Sequence, residues 1–92
     1  MNPSFEWNED KASANIRKHQ VGFDEAATVF LDPLARTMID QEHSQSETRF
    51  VTIGMSALGR LLVVVNTERG RRIRIISCRR ATGRERDYYE KG

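Results

Sequence analysis

Residues 67–86, TERGRRIRIISCRRATGRER, hold eight arginines, two glutamates and no lysine, with the apolar run IRIISC at their centre. Six residues of this β-branched composition are too few for a helix and read as a core strand. An unpaired buried guanidinium is costly, so a strand carries this much charge only if its middle is covered and its ends reach a rim. The chain is thereby constrained to a sheet-containing fold in which this strand packs centrally and its flanking arginines emerge.

Side chains alternate across a strand. Strict alternation predicts Ile73, Ile75, Ser77 and Arg79 on one face and Arg72, Arg74, Ile76, Cys78 and Arg80 on the other. The charge is unevenly spread along the chain. Residues 1–59 carry a net −4, residues 60–86 a net +7 and the last six residues −1, which together make the formal +2. The bland reading is a solvated, salt-bridged surface. Exclusive use of arginine favours a polyanionic partner instead, because its planar fork matches phosphate bidentately and an ammonium does not.

The rest of the chain reads as one 92-residue domain, 1–92, with one modest core. FEWNEDKASANIRKHQVGF predicts an amphipathic helix with Asn8 as N-cap, Glu9 and Asp10 in its first turn, and Phe5 and Trp7 as anchors ahead of it. FDEAATVF predicts a second short helix, stopped by LDP. From residue 34 the period becomes that of strands: LARTMI, RFVTIGMS, RLLVVVNTE and RRIRIISCR, with DQEHSQSET as a polar loop and RG at 69–70 as a tight turn. RLLVVVNTE is apolar on both faces and so central. Thr82 and Glu85 form a capping-box pattern for a terminal helix. The expected fold is α+β: two N-terminal helices, a four-stranded antiparallel sheet and a C-terminal helix, with helices mainly on one face.

Other chemistry is sparse. No glycine-rich phosphate loop is present, and His19, His43 and Cys78 lack metal-ligand spacing, so neither cofactor nor metal is expected. Cys78 reads as a small hydrophobe and His43 as a solvated loop residue. His19, beside Lys18 at a helix C-terminus, suits either the helix dipole or proton transfer at a phosphodiester. Glu68 is either a cross-strand partner for arginine or a general base, and its arginine neighbours would hold it ionised. Tyr88, Tyr89 and Trp7 are the aromatics available for base stacking, with ordinary packing as the alternative. The longest apolar run, LLVVV, is far short of a membrane span. MNPSFEWNEDK has no leader pattern and the single cysteine favours a reducing compartment, so a cytoplasmic location is expected.

FEWNEDKASANIRKHQVGFDEAATVF with the following DP, then HS, ETRFVTIGMS, GRLLVVVNTERG and IRIISCRRAT with the later Glu85 and Tyr89, together closely resemble the BrnT family of type II toxins, of the RelE-like ribonucleases, from about Phe5 to Tyr89. The resemblance implies a RelE-like α+β fold that cleaves RNA without metal, by attack of a ribose 2′-hydroxyl on the adjacent phosphate. It implies neutralisation by a BrnA-like ribbon-helix-helix antitoxin, through which alone the complex contacts operator DNA, and no membrane. Catalysis then falls to Glu68, Arg69, Arg79 and His19: Arg69 and Arg79 stabilise the scissile phosphate, and Glu68 or His19 handles the proton. Lys18, Arg80 and Tyr89 are implied as RNA-binding residues, and the strand pattern adds Arg72 and Arg74 to that set. Asn66 stands where the family pattern leads to an aromatic residue or histidine. The alternative reading is a catalytically weak module that binds RNA or serves as antitoxin partner and co-repressor.

Overall fold

The apolar run at 61–65 lies at the centre of the sheet in the computed structural model, which describes residues 3–92. The elements are β1 (Ser4–Glu6), α1 (Glu9–His19), α2 (Phe23–Thr28), β2 (Arg36–Ile39), β3 (Arg49–Met55), β4 (Leu61–Arg69), β5 (Arg72–Arg80) and α3 (Gly83–Glu90). Single 3₁₀ turns follow α2 (Val29–Leu31) and β2 (Gln41–His43).

The strands form one five-stranded mixed sheet in the order β1-β5-β4-β3-β2. This corrects the expected two N-terminal helices and four antiparallel strands. The chain opens instead on a strand, and β1 pairs with β5 in parallel, placing Phe5 opposite Ile73 and Glu6 opposite Arg74. Three residues are too short to display a two-residue period, and this strand is held by tertiary contacts. The Phe5 ring lies 5.4 Å from that of Phe30, and Glu6 meets the Arg74 guanidinium at 2.8 Å.

Helices α1 and α2 cover one face of the sheet. Ala12, Val21, Phe23, Ala26 and Val29 pack there against Leu62, Val64, Ile75 and Cys78. On the other face, Tyr89 of α3 packs over Ile53, Leu61 and Val63 at one end, and no helix among the described residues covers the Arg69 end. We call these the helix face and the open face. Asn8 caps α1 by accepting the Lys11 N–H at 3.0 Å, and Thr82 and Glu85 close a reciprocal capping box on α3. At Gly54 a side chain would collide with Val29, because the turn after α2 lies directly on β3 there.

A β-bulge between Val65 and Asn66 corrects the alternation expected for β5. On one side of the bulge Val63 and Val65 pair with Arg79 and Ser77; on the other Thr67 and Arg69 pair with Arg74 and Arg72. One extra residue in β5 shifts its period by one. Ile75 and Cys78 therefore share the helix face, and Arg72, Arg74 and Arg79 share the open face, where strict alternation had put Arg79 opposite the other two.

Candidate nucleic-acid interface

The open face gathers arginines from four strands. Besides Arg69, Arg72, Arg74 and Arg79, the register places Arg49 (opposite Thr67) and Arg36 (opposite Ile53) on it. Two of these brace the fold at their outer ends. Arg36 donates to the Tyr88 carbonyl at 2.7 Å and lies 3.8 Å over the Tyr88 ring. Arg79 grips Glu85 with both terminal nitrogens, at 2.7 and 2.8 Å, and its Nη1 also donates to the Arg80 carbonyl at 3.3 Å. That guanidinium holds the Glu85 carboxyl down at about 2, against an ordinary 4.5.

Each pairing leaves donors over. A guanidinium has five N–H groups, and Arg79 commits three, so Nε–H and the second Nη2–H remain side by side along its free edge. Those two adjacent donors match two phosphate oxygens. Arg74 commits one nitrogen to Glu6 at 2.8 Å, and Arg69 meets Glu47 only at 3.5 Å. Among the described residues Arg49 and Arg72 have no carboxylate partner, so six guanidiniums face three carboxylates on this surface. The face is cationic, and carboxylates brace three of its arginines, Arg69, Arg74 and Arg79.

The remaining residues singled out in the sequence lie elsewhere. Glu68 is on the helix face, at the rim of a pocket of about 330 Å³ walled by Phe30, Phe50 and Ile73 and floored by Thr52 and Asn66. The backbone of β4 separates it from Arg69. Asn66 is buried, donating to the Thr52 hydroxyl at 3.1 Å and the Val64 carbonyl at 3.0 Å. Arg80 is exposed beyond Cys78, also on the helix face. Lys18 and His19 end α1 near Arg60, whose guanidinium reaches the Gln20 carbonyl at 3.2 Å. The β4 start and the Arg69 end are about 26 Å apart at roughly 3.3 Å per residue, so Lys18, His19 and Arg80 lie at the opposite end of the sheet from Glu68 and Arg69.

Tyr89 is packed inward, its hydroxyl donating to Asp32 at 2.6 Å, and Trp7 sits edge-on to Phe23 at 6.0 Å. Both are structural contacts. Cys78 is fully buried, and burial pushes its thiol up to about 12, with the Glu25 carboxylate adding to the shift.

One cluster was passed over in the sequence. The loop between β2 and β3 closes on itself, the Asp40 N–H donating to the Arg49 carbonyl at 2.8 Å. Ser44 staples it, its hydroxyl donating to the Asp40 carbonyl and accepting the Arg49 N–H at 2.9 Å. His43 Nδ1 then meets Asp40 Oδ2 at 2.9 Å beside a cleft of about 250 Å³ whose wall includes Glu47 and Arg49. The three-residue spacing of Asp40 and His43 was the available signal, masked by the polar composition of DQEHSQSET.

A sequence profile described as "Ribonuclease toxin, BrnT, of type II toxin-antitoxin system" matches residues 7–85. A comparison with curated proteins gave no match. Among solved structures, the crystal structure of the Brucella abortus ribonuclease toxin BrnT is similar, with a TM-score of 0.68 and 22% sequence identity over 87% of this chain and 97% of that one.

Proposed function

Because the chain belongs to the BrnT family of ribonuclease toxins of type II toxin-antitoxin systems, we propose that its open face binds RNA and that the chain cleaves it there as an endoribonuclease. The carrying observation is the convergence of Arg69, Arg72, Arg74 and Arg79 on one face, produced by the β5 bulge. Phosphates engaged by arginine edges are positioned without base readout. The cleavage proposed is attack of a ribose 2′-hydroxyl on the adjacent phosphorus. The substrate supplies its own nucleophile, and guanidiniums supply the charge that stabilises the phosphorane, so no metal is required of the mechanism.

Arg69 is proposed to bear on the scissile phosphate, with Arg72 and Arg74 on flanking ones. The expectation that Arg79 shares that phosphate is corrected by the register, which pairs Arg79 with Val63, about 20 Å from Arg69 at roughly 3.3 Å per residue. Arg79 would hold a phosphate further along the strand. Lys18 and Arg80, at the far end and on the other side, would touch only a longer RNA that wraps the molecule. Glu68 and His19 keep their proposed proton-transfer role only if RNA reaches the helix face. The proposed antagonist is a BrnA-like ribbon-helix-helix antitoxin that covers the arginine face and carries the complex to operator DNA.

A second reading has its own support. Arg69, Arg74 and Arg79 each have a carboxylate beside them, which weakens their pull on phosphate and fits a partner-binding module without catalysis. Induced expression of the chain alone in a bacterium separates the two. The nuclease reading expects growth arrest with RNA cleavage, abolished in Arg69→Ala, weakened in Arg79→Ala and retained in Glu85→Gln, which breaks the Arg79 ion pair but keeps the cation. Normal growth with folded, soluble protein would leave the binding module.

A further inference from the structure

We infer that His43 is a catalytic residue, a general base whose imidazole is aimed by Asp40 at the 2′-hydroxyl of RNA lying on the Arg49–Arg69 end of the open face. The inference rests on the nuclease reading above and adds the proton acceptor that the arginine face lacks.

The argument begins with the tautomer. An ionised carboxylate only accepts hydrogen bonds, so the 2.9 Å contact between Asp40 Oδ2 and His43 Nδ1 places the ring proton on Nδ1. The lone pair is then on Nε2, the outward nitrogen. Its partner Asp40 is 21% exposed and fixed at the base of the stapled loop, whereas the His43 side chain is 62% exposed. A ring held by its inner nitrogen and open at its outer one is the arrangement proton abstraction needs.

The surroundings supply the rest. Arg49 lines the same cleft and projects from the open face, opposite Thr67. Glu47, on the cleft wall, connects to Arg69 at 3.5 Å. Charged groups facing His43 are thus Asp40, Glu42 and Glu47 from the loop, Arg49 from β3 and, through Glu47, Arg69 from β4. A phosphodiester drawn between Arg49 and Arg69 meets two cations beside an imidazole lone pair. Of the two histidines in the chain, only His43 adjoins open-face arginines, since His19 ends α1, which packs on the helix face.

In the proposed step His43 Nε2 takes the 2′-hydroxyl proton as O2′ bonds to phosphorus. The P–O5′ bond breaks, leaving a 2′,3′-cyclic phosphate. The departing 5′ oxygen takes a proton from water, and the imidazolium neutralises the hydroxide left behind, so the ring returns to its starting state.

Purified chain is assayed on a labelled oligoribonucleotide, naked and on translating ribosomes, with product ends identified. His43→Ala is expected to cut single-turnover cleavage by roughly 10²- to 10⁴-fold, the usual contribution of a positioned base, with unchanged RNA affinity and unchanged melting temperature. Added imidazole restores part of the rate, and the acid limb of the pH–rate profile disappears. Asp40→Asn, which no longer fixes the tautomer, lowers the rate while keeping that limb. Cleavage by His43→Ala within threefold of the native rate overturns the assignment alone. A native chain that leaves RNA intact in both settings overturns the nuclease reading and this role with it.

Discussion

Asn15 shows how much a single side chain holds. It is 6% exposed, donates to the Val21 carbonyl at 2.9 Å and the Cys78 carbonyl at 2.8 Å, and accepts the Cys78 N–H at 3.1 Å. One amide thus joins α1, the turn into α2 and the middle of β5, beside the bulge that reverses the register. Asn15→Ala strands three buried backbone groups, so it should cost at least about 3 kcal/mol, since each unpaired buried group costs roughly 1–3. In a domain of this size that is a fall of at least roughly 12–24 °C in melting temperature, checked by thermal and urea unfolding. Asn15 was invisible as a clamp in the sequence, because its partners Val21 and Cys78 lie 6 and 63 residues away. Asn8 and Thr82 were legible, because a cap acts within three residues of itself.

At the scale of elements, α3 is attached by polar contacts as much as by packing. Glu85 accepts from Arg79 and from the Thr82 N–H, and the Tyr89 hydroxyl donates to Asp32. Burial alone would raise the Asp32 carboxyl, but the Met55 N–H, Tyr89 and the Leu34 N–H hold it below its ordinary value. Glu25 is lowered as well, foremost by its hydrogen bonds from Arg60. A carboxyl depressed on folding contributes stability that is complete above its unfolded value and lost as pH falls through its folded one. Stability should therefore be flat above pH 5 and decline from about 4.5 towards about 2, the Glu85 values unfolded and folded. Glu85→Gln removes part of that decline, measured by urea midpoints at pH 7, 4 and 3. An unchanged slope would mean the Arg79–Glu85 pair contributes nothing to holding α3. The helices and longer strands carried local periods and were legible. β1 was not, because its pairing partner lies some seventy residues along the chain.

The whole molecule separates its charge by face. The buried core sits mainly under α1 and α2, and the open face gathers six arginines of β2 to β5 against three carboxylates. Binding of single-stranded RNA to that face should weaken steeply with salt, by roughly 0.7 in log–log slope for each phosphate neutralised. Arg72→Gln and Arg74→Gln should each flatten the slope by about that amount, read from affinity titrations between 50 and 200 mM salt. Lys18→Gln and Arg80→Gln should change it less on a short oligonucleotide, because these residues lie at the far end and on the other side. Equal effects from all four would place the RNA elsewhere.

The sequence alone determined the α+β class, the caps, the tight turn at Gly70, and that a central strand flanked by arginine had to reach a surface. Those follow from composition, local period and the cost of burying charge. Which arginines share that surface was decided only by the fold, since a one-residue bulge moves every side chain beyond it to the other face. The same holds for the parallel pairing of β1 with β5 and the clamping of Cys78 by Asn15. Each depends on where distant backbone segments come to lie, which no local pattern encodes.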